Sequence, residues 1–588
     1  MPASTRFGSG GSAAATGPAA MQGWIWGAVL LLTAAALLLR LYGIETPSMS
    51  HPEIYVPGID LIPGHSVPPP RLTLSDTLWM HFHDEPHPML WYLAMFGWTE
   101  MFGTSHLALR LPSAIAGAAT IPLMFLLGRR VFGVGVGLLA AVLLSVHSLH
   151  LFWSQAARMY AAGAFLSVLA TLLLLRIASD PRAGRGAQAG YVAAVVAGVG
   201  SVELFWPLIG MHVAWAALML PAGKISGAAR GGAWLFSGTH RILQLQAVAL
   251  ILSVPELLHA VYRARGGAAS EPSLGWLSDY FSFGFLYRSD DNVWDAVLPG
   301  AFASGLLLLA ALILLGLALR VRGIDRPPLA GGRNLRFLRV FGLALAVTAF
   351  MMWLATIAYS RNWALYVVAT APLLSLFLPR IATHLAGTIT DRLHGFARWR
   401  ERANSATVLI WMLGVVAPLV TFVGSGVMSL LASRAFLVLV PYLILLLAAP
   451  VGFLPGHRLV RGAGISALVG LFLGSVPLAW QMNISPIDYK TLVAEMAPLM
   501  QPEDMVFVRD KNWDETPLFY YMRDARYVFS DYAAALKAAP EARVWLVTWP
   551  YEEQPVINDE RREALVNYRL VEHVTARRAS AELFLPPG

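Results

Sequence analysis

The feature that most constrains this chain is a long succession of apolar stretches, each about as long as a bilayer is thick. At 1.5 Å per residue, a helix needs roughly 20 apolar residues to cross about 30 Å of hydrocarbon. Such stretches lie near 23–42, 106–127, 132–152, 159–176, 188–202, 204–221, 243–262, 297–319, 340–358, 363–379, 406–426, 435–454 and 463–481. Composition points the same way, with 57% hydrophobic and only 13% charged residues in a chain of 588; a soluble domain carries about 25% charged residues. The expected class is therefore a polytopic α-helical membrane protein with about 13 transmembrane helices. A net charge of +8 would point to nucleic acid in a soluble protein. Here the charge sits in particular loops, where the positive-inside rule accounts for it, and no nucleic-acid partner is expected. The chain has no cysteine, which excludes disulfides, thiolate metal sites and cysteine nucleophiles.

Loop charge orients the spans. Alternate loops carry Arg129 and Arg130; Arg176, Arg182 and Arg185; Lys224, Arg230 and Arg241; then Arg320, Arg322, Arg326, Arg333, Arg336 and Arg339. Later loops continue with Arg380, Arg392, Arg398, Arg400 and Arg402, and with Arg458 and Arg461, while the intervening loop 264–296 holds Asp279, Asp290, Asp291 and Asp295. That alternation places the N-terminus and the Arg-rich loops in the cytoplasm and the C-terminus outside. Residues 1–22 read as a disordered cytoplasmic tail rich in Gly, Ser and Ala. The first apolar segment ends in LLLRLYG with no small-residue cleavage pattern and reads as a retained anchor. Residues 23–481 form the membrane domain, with 43–105 as its first outer loop, and 482–588 change to the composition of a soluble α/β domain on the outer face. In that region 505–510, 525–529, 543–549 and 568–574 read as strands, and 488–500 and 531–539 as helices.

Ionisable groups in or beside spans are costly to bury and usually have a reason. Most of them fall on the outer side: Glu53, Asp84, Glu85 and His87 in the first loop; His147 and His150; Gln155 and Arg158; Glu203; Glu256 and His259; and Arg361, with mid-span His212 as the exception. One outward-opening polar cavity explains this asymmetry better than an ion path through the membrane centre. Simpler readings stand beside it. His83, His147 and His150 fit interfacial polar positions. Glu256 and His259, three apart, either bond each other or serve a site. Gln155 and Arg158 share that spacing, and an Arg there either snorkels to headgroups or binds a ligand. The run PHPMLWYLAMFGWTEMF reads as an amphipathic helix in the interface plane, which would also suit guiding a lipid substrate.

The block HPMLWYLAMFGWTEMFGTSHLALRLPSAIAG, followed by LLGRRVFG and SQAARMYA, resembles the membrane glycosyltransferases of the C-superfamily (GT-C). It is most similar to the bacterial branch related to protein O-mannosyltransferases and lipid A aminoarabinose transferases. The resemblance covers about residues 83–165 and is architectural beyond them. It implies a GT-C-like fold in the bacterial cytoplasmic (inner) membrane. It also implies transfer of a sugar from a polyprenyl-phosphate-linked donor to a protein, lipid or glycan acceptor outside the cytoplasm. By position, His87 and Pro88 match the family's HP, Glu85 its preceding acid, Gln155, Arg158 and Tyr160 its Q.ARMY, and Arg361 an Arg of a late outer-facing span. The family's Asp-Glu pair in the first half of the loop is altered: SHPEIYVPG places Pro52 where the Asp stands and leaves Glu53.

Such a transfer needs a carboxylate near the attacking hydroxyl and cationic groups on the departing phosphate. Glu53, Asp84 or Glu85 is the candidate base. His87, Arg158 and Arg361 are the candidate phosphate ligands. Gln155, Tyr160, Glu256 and His259 support them. Direct displacement would invert the anomeric centre. No cofactor is called for, and a divalent metal is compatible with the carboxylates without being indicated. The competing readings are a flippase of lipid-linked sugars, a polysaccharide ligase or polymerase, and a catalytically altered member of the family.

Overall fold

The structure is a computed structural model; it describes residues 18–54, 73–75, 77–78, 87–179, 183–219, 238–256, 258–259, 405–424, 433–453, 458–481, 487–508, 516–522, 525–548 and 560–587. The spans expected at 297–319, 340–358 and 363–379, and the site candidates Asp84, Glu85 and Arg361, lie outside the described residues.

The membrane part is helical. Its elements are α1 (Pro18–Leu41), the short α2 (His51–Ile54), α3 (Met89–Phe102), α4 (His106–Phe132), α5 (Val134–Ser145), α6 (Ser148–Ser154), α7 (Tyr160–Ser179), α8 (Arg185–Val199), α9 (Phe205–Met219) and α10 (Gly238–Leu252). Further along come α11 (Ser405–Trp411), a π segment Met412–Val416, α12 (Ala417–Gly424), α13 (Val440–Phe453) and α14 (Arg458–Gln481). Among the described residues three helices are long and apolar enough to cross a membrane, Gln22–Leu41, His106–Phe132 and Tyr160–Ser179. The span expected at 132–152 is a broken one, because α5 and α6 meet at 58°. Its second half starts at His147, whose ring accepts the His150 N–H and caps α6.

Local chemistry explains where the helices stop. Ser105 caps α4 by accepting the Ala108 N–H at 3.2 Å. Gly133, at φ 95°, ends α4 and donates its N–H to the Arg129 carbonyl. The next helix then folds back so closely that a Cβ on Gly137 would lie 2.6 Å from the Phe125 carbonyl oxygen. The GRRVFGVGVG sequence is thus the turn of a tight helical hairpin. Mid-span His212 is explained by an interhelical network: its ring bonds Thr171 Oγ1 (3.1 Å) and Tyr191 OH (3.3 Å), and Thr171 bonds Tyr442 OH (2.6 Å). That network ties α7, α8, α9 and α13 together inside the apolar bundle.

The described residues between 489 and 585 form a five-stranded sheet of order β2-β1-β3-β5-β4 with helices around it. Strands β1 (Met505–Phe507), β2 (Arg526–Val528) and β3 (Val544–Thr548) are parallel, and β5 (Ala579–Leu585) runs antiparallel to β3 and to β4 (Arg569–Ala576). The central strands β1 and β3 are buried almost throughout, as their unbroken apolar runs MVF and VWLVT require. Two of the surrounding helices are α15 (Tyr489–Met496) and α16 (Thr516–Tyr521). β5 and α16 were not foreseen from the sequence pattern.

This sheet region docks on the loop that follows α1. Tyr521 OH accepts the Met49 N–H at 2.7 Å and bonds the His106 ring at 3.1 Å. Lys490 Nζ donates to the Glu45 carbonyl at 2.7 Å, and Tyr520 OH to the Thr104 carbonyl at 2.6 Å. The two ends of the bundle are told apart by α4, which carries Arg110 near its start and Arg129 and Arg130 in its last turn. Twenty residues of helix separate Arg110 from Arg130, about 30 Å.

Candidate functional site

Two linked clusters occupy the end of the bundle nearest Arg110. The first holds the loop after α1 in place. Glu53, in α2, is fully buried, as is Arg110 opposite it. Arg110 grips the carboxylate with two bonds, Nε to Oε1 (2.9 Å) and Nη2 to Oε2 (3.0 Å). Its remaining donors reach the carbonyls of Ile44 (2.8 Å), Pro47 (3.0 Å) and Ser48 (3.1 Å). All five N–H donors of a guanidinium are therefore committed.

Glu53 is just as full. Besides Arg110, its Oε1 accepts the Ala157 N–H at 2.9 Å, and its Oε2 accepts the Ser50 N–H (3.0 Å) and Ser50 Oγ–H (3.1 Å). An ionised carboxylate offers about four lone-pair sites, so five donors saturate it. Burial alone would raise its pKa, but the Arg110 guanidinium and the donated bonds outweigh burial and hold it below the ordinary value. A saturated carboxylate with a depressed pKa is a weak base with no place for a substrate hydroxyl. Glu53 has the chemistry of a structural anion, fixing the turn Ile44–Ile54 against Ala157.

Gln155 is likewise structural: its Nε2 donates to the carbonyls of Arg40 (3.1 Å) and Tyr42 (2.7 Å), closing the end of α1. Arg40 itself, buried in α1, donates to Ser154 Oγ at 3.2 Å and meets the His150 ring at 2.8 Å. His147 and His150 are both fully buried within the protein.

The second cluster forms around the start of α3, where five separate segments meet. His87 Nδ1 lies 2.7 Å from Glu203 Oε1, across 116 residues of sequence. Leu90 donates its N–H to the Gly200 carbonyl at 2.7 Å, fixing α3 against the turn that carries Glu203. The Met89 N–H, in the first turn of α3, donates to Glu256 Oε1 at 3.1 Å. Pro88 at the N-cap supplies no side-chain acceptor, so Glu256 serves from outside as the partner for one of the helix's orphan N–H groups. From the fourth segment, Arg158 Nη1 donates to Tyr92 OH (3.0 Å) and to the Pro52 carbonyl (2.8 Å). The fifth is the loop of Pro52 itself. Tyr160 completes the surroundings, with the Arg158 Cζ 6.0 Å from its ring centre and equally 6.0 Å from that of Tyr92. Ser113 Oγ donates to the Arg158 carbonyl at 2.8 Å, tying this segment back to α4.

Electrostatics separate the two glutamates of this cluster. Burial pushes Glu203 upward, but the His87 beside it outweighs burial and, with a smaller contribution from Arg158, holds the carboxyl below the usual range. Glu256 shifts the other way. Burial raises it, the Met89 N–H opposes that, the nearby Glu203 charge adds to it, and its pKa is pushed up to about 7. Helix α10 ends at Leu252; after Ser253 the backbone is helical again at 254–256 and 258–259, where Glu256 and the buried His259 lie.

The structure thus gathers His87, Arg158, Tyr160 and Glu256 at one place, and puts Glu53 and Gln155 behind them as scaffold. It adds Arg110 and Tyr92, which the sequence reading did not assign, and gives a partner to Glu203, which that reading had placed on the outer side without a role. Arg110 had a signal, since an arginine within an apolar helix is costly without a partner. Glu203 had a weaker one, as an acid in an otherwise apolar turn, SVELFWP. Among the described residues no three His, Asp or Glu side chains converge as a metal site.

Residues 84–203 match the sequence profile of the dolichyl-phosphate-mannose-protein mannosyltransferase family. The resemblance read over residues 83–165 therefore extends to Glu203. The match takes in His87, Arg110, Gln155, Arg158 and Tyr160 and leaves out Glu53 and Glu256. The fold is similar to that of ArnT from Cupriavidus metallidurans bound to undecaprenyl phosphate, at 16% identity over 95% of this chain and 98% of that one, with a TM-score of 0.37. It is also similar to the archaeal oligosaccharyltransferase AglB from Archaeoglobus fulgidus, in complex with an inhibitory peptide and a dolichol-phosphate, at 12% identity over 96% of this chain and 74% of that one, with a TM-score of 0.43. No curated protein matches the chain.

Proposed function

We propose that this chain, mannosyltransferase-like over residues 84–203, is a membrane glycosyltransferase moving a sugar from a polyprenyl-phosphate-linked donor to an acceptor hydroxyl outside the cytoplasm. One observation carries the reading. The matched segment is the one whose His87, Arg158 and Glu203 converge at the start of α3, so the family's sequence and the polar cluster coincide.

The chemistry follows from what the residues can do. Departure of polyprenyl phosphate concentrates negative charge on its oxygens, and a fixed guanidinium lowers the cost of that charge. Arg158 is held for this by Tyr92 and Pro52, with His87 beside it. Arg361 remains a third ligand on the strength of the sequence. In-line attack inverts the anomeric centre and leaves a proton to be taken by a carboxylate. With Glu53 saturated, that role passes to Asp84, Glu85 or a carboxylate of the second cluster. The protein would sit in the inner membrane with about 13 spans, its N-terminus cytoplasmic and the sheet region 489–585 outside, over the loop it touches. The acceptor is a protein, a lipid or a glycan.

The test uses full-length protein in liposomes with radiolabelled polyprenyl-phosphate sugars and an extract of surface acceptors. Label should leave the lipid and appear in acceptor, and Arg158→Lys should reduce this by on the order of 10²-fold. Donor binding without transfer across a panel of sugars would point to a flippase or an inactive member and sink the proposal. Mass spectrometry of surface glycans with and without the gene would then name the sugar and acceptor.

A further inference from the structure

We infer that Tyr521, a residue of the sheet region, is a positioning residue for Arg158 and acts on it through the backbone of residues 48–53. This role rests on the glycosyltransferase reading and concerns the same site.

Residues 45–50 form neither helix nor strand, yet Ser48, Met49 and Ser50 are buried. Buried backbone without a ladder of its own takes its partners from elsewhere, and those partners then decide its shape. One set comes from α4. Arg110 holds the carbonyls of Ile44, Pro47 and Ser48, and His106 Nδ1 lies 3.2 Å from the Glu45 carbonyl. The other set comes from the sheet region. Lys490 donates to the same Glu45 carbonyl, and Tyr521 OH accepts the Met49 N–H at 2.7 Å. One assignment of protons satisfies this joint. With its oxygen accepting from Met49, Tyr521 gives its hydroxyl proton to His106 Nε2 at 3.1 Å, and the His106 proton sits on Nδ1 to bond Glu45. Tyr521 is thereby fixed from both sides, and Met49 with it.

The other end of the segment carries Arg158. The Pro52 carbonyl accepts from Arg158 Nη1 at 2.8 Å, and Glu53 Oε1 accepts the N–H of Ala157, the residue before Arg158, at 2.9 Å. Two consecutive loop residues thus hold Arg158, one by its guanidinium and one by the adjoining backbone. Between Met49 and Pro52 the chain is stiff. Glu53 Oε2 accepts the Ser50 N–H at 3.0 Å while the Glu53 N–H donates back to the Ser50 carbonyl at 2.9 Å, which is the carboxylate half of a capping box. A shift of Met49 is therefore passed on to Pro52 and not absorbed between them. Arg158 is the cation that meets the departing phosphate in the proposed transfer. Negative charge on that phosphate is greater in the transition state than in the bound donor, so a displaced guanidinium costs turnover more than donor binding.

Two neighbouring hydroxyls separate positioning from docking. Tyr521→Phe removes the partner of Met49, whereas Tyr520→Phe removes a docking bond to the Thr104 carbonyl, outside residues 48–53. Both are compared as full-length protein in liposomes with radiolabelled polyprenyl-phosphate sugars, and hydrogen exchange over the sheet strands checks that each variant is folded. Tyr521→Phe should lower kcat by on the order of tenfold with the donor KM within about twofold, while Tyr520→Phe keeps the wild-type kcat. In an Arg158→Lys background, Tyr521→Phe should cost less than about twofold more, because the group it positions is already gone. Wild-type turnover in Tyr521→Phe would overturn the inference and leave the function standing. So would equal losses in the two tyrosine variants, or a Tyr521→Phe loss undiminished in Arg158→Lys. A wild-type protein that transfers no lipid-linked sugar would instead sink the function, and the inference with it.

Discussion

Replacing Arg110 by leucine should loosen the first outer loop far more than a typical helix substitution. The change removes two charge-assisted bonds to Glu53 and three bonds to the carbonyls of Ile44, Pro47 and Ser48. Glu53 would keep only Ser50 and Ala157 as partners while remaining fully buried. Two charge-assisted bonds at about 1.5–3 kcal/mol each give about 3–6 kcal/mol. Breaking one partner of a buried pair costs about 3–5 kcal/mol, so both routes agree. At about 1.4 kcal/mol per tenfold, the loop should open on the order of 10²- to 10⁴-fold more often. Hydrogen exchange read by mass spectrometry on peptides covering 44–54 and 156–158 measures that directly, with strand β3 as internal control. The double variant Arg110→Leu/Glu53→Leu should recover at least half the loss, because it removes the stranded charge with its partner. Unchanged protection in Arg110→Leu would refute the scaffold role. So would a Glu53→Gln protein that keeps full loop protection but loses all transfer, since it would make Glu53 the base.

Acid supplies a second check on the same pair. The folded pKa of Glu53 is depressed, so its contribution is complete above the unfolded value of about 4.3 and is lost as pH falls through the lower folded value; exchange over 44–54 should stay slow at pH 5 and quicken only in stronger acid. Gly137→Ala places a Cβ 2.6 Å from the Phe125 carbonyl oxygen, so thermal melting in detergent should show a loss of about 1–3 kcal/mol as α4 and α5 are pushed apart; an unchanged melting temperature would mean the hairpin is not closely packed. Tyr521→Phe strips the acceptor from the Met49 N–H and should cost about 1–3 kcal/mol, seen as faster exchange at residues 48–50 with the sheet strands unaffected. If exchange there stayed at the wild-type rate, the sheet region would not brace the loop.

Much of the membrane architecture was legible because it follows from a local property. A run such as that of α4 or α7 is apolar over the length of a bilayer, and its backbone can satisfy itself only as a helix there. The break between α5 and α6 was not read from the sequence, since the bend is set by what His147 caps and His150 bonds. The strands β1 and β3 showed as short apolar runs. β5 alternates within AELFL and gains its meaning only from the partners on either side.

The site divides along the same line. From the sequence alone came the kinds of groups present, the expectation that they share one side of the membrane, and the HP, ALRLPS and Q.ARMY blocks around them; side-chain chemistry and bilayer cost are properties of each residue with its near neighbours. Only the tertiary structure decided which carboxylate is which. Glu53 meets Arg110 across 57 residues, Glu203 meets His87 across 116, and Glu256 meets Met89 across 167. The same functional group becomes a saturated anchor, a paired anion or a carboxyl with a raised pKa according to burial and the donor opposite, and those are set by contacts between segments far apart in the chain.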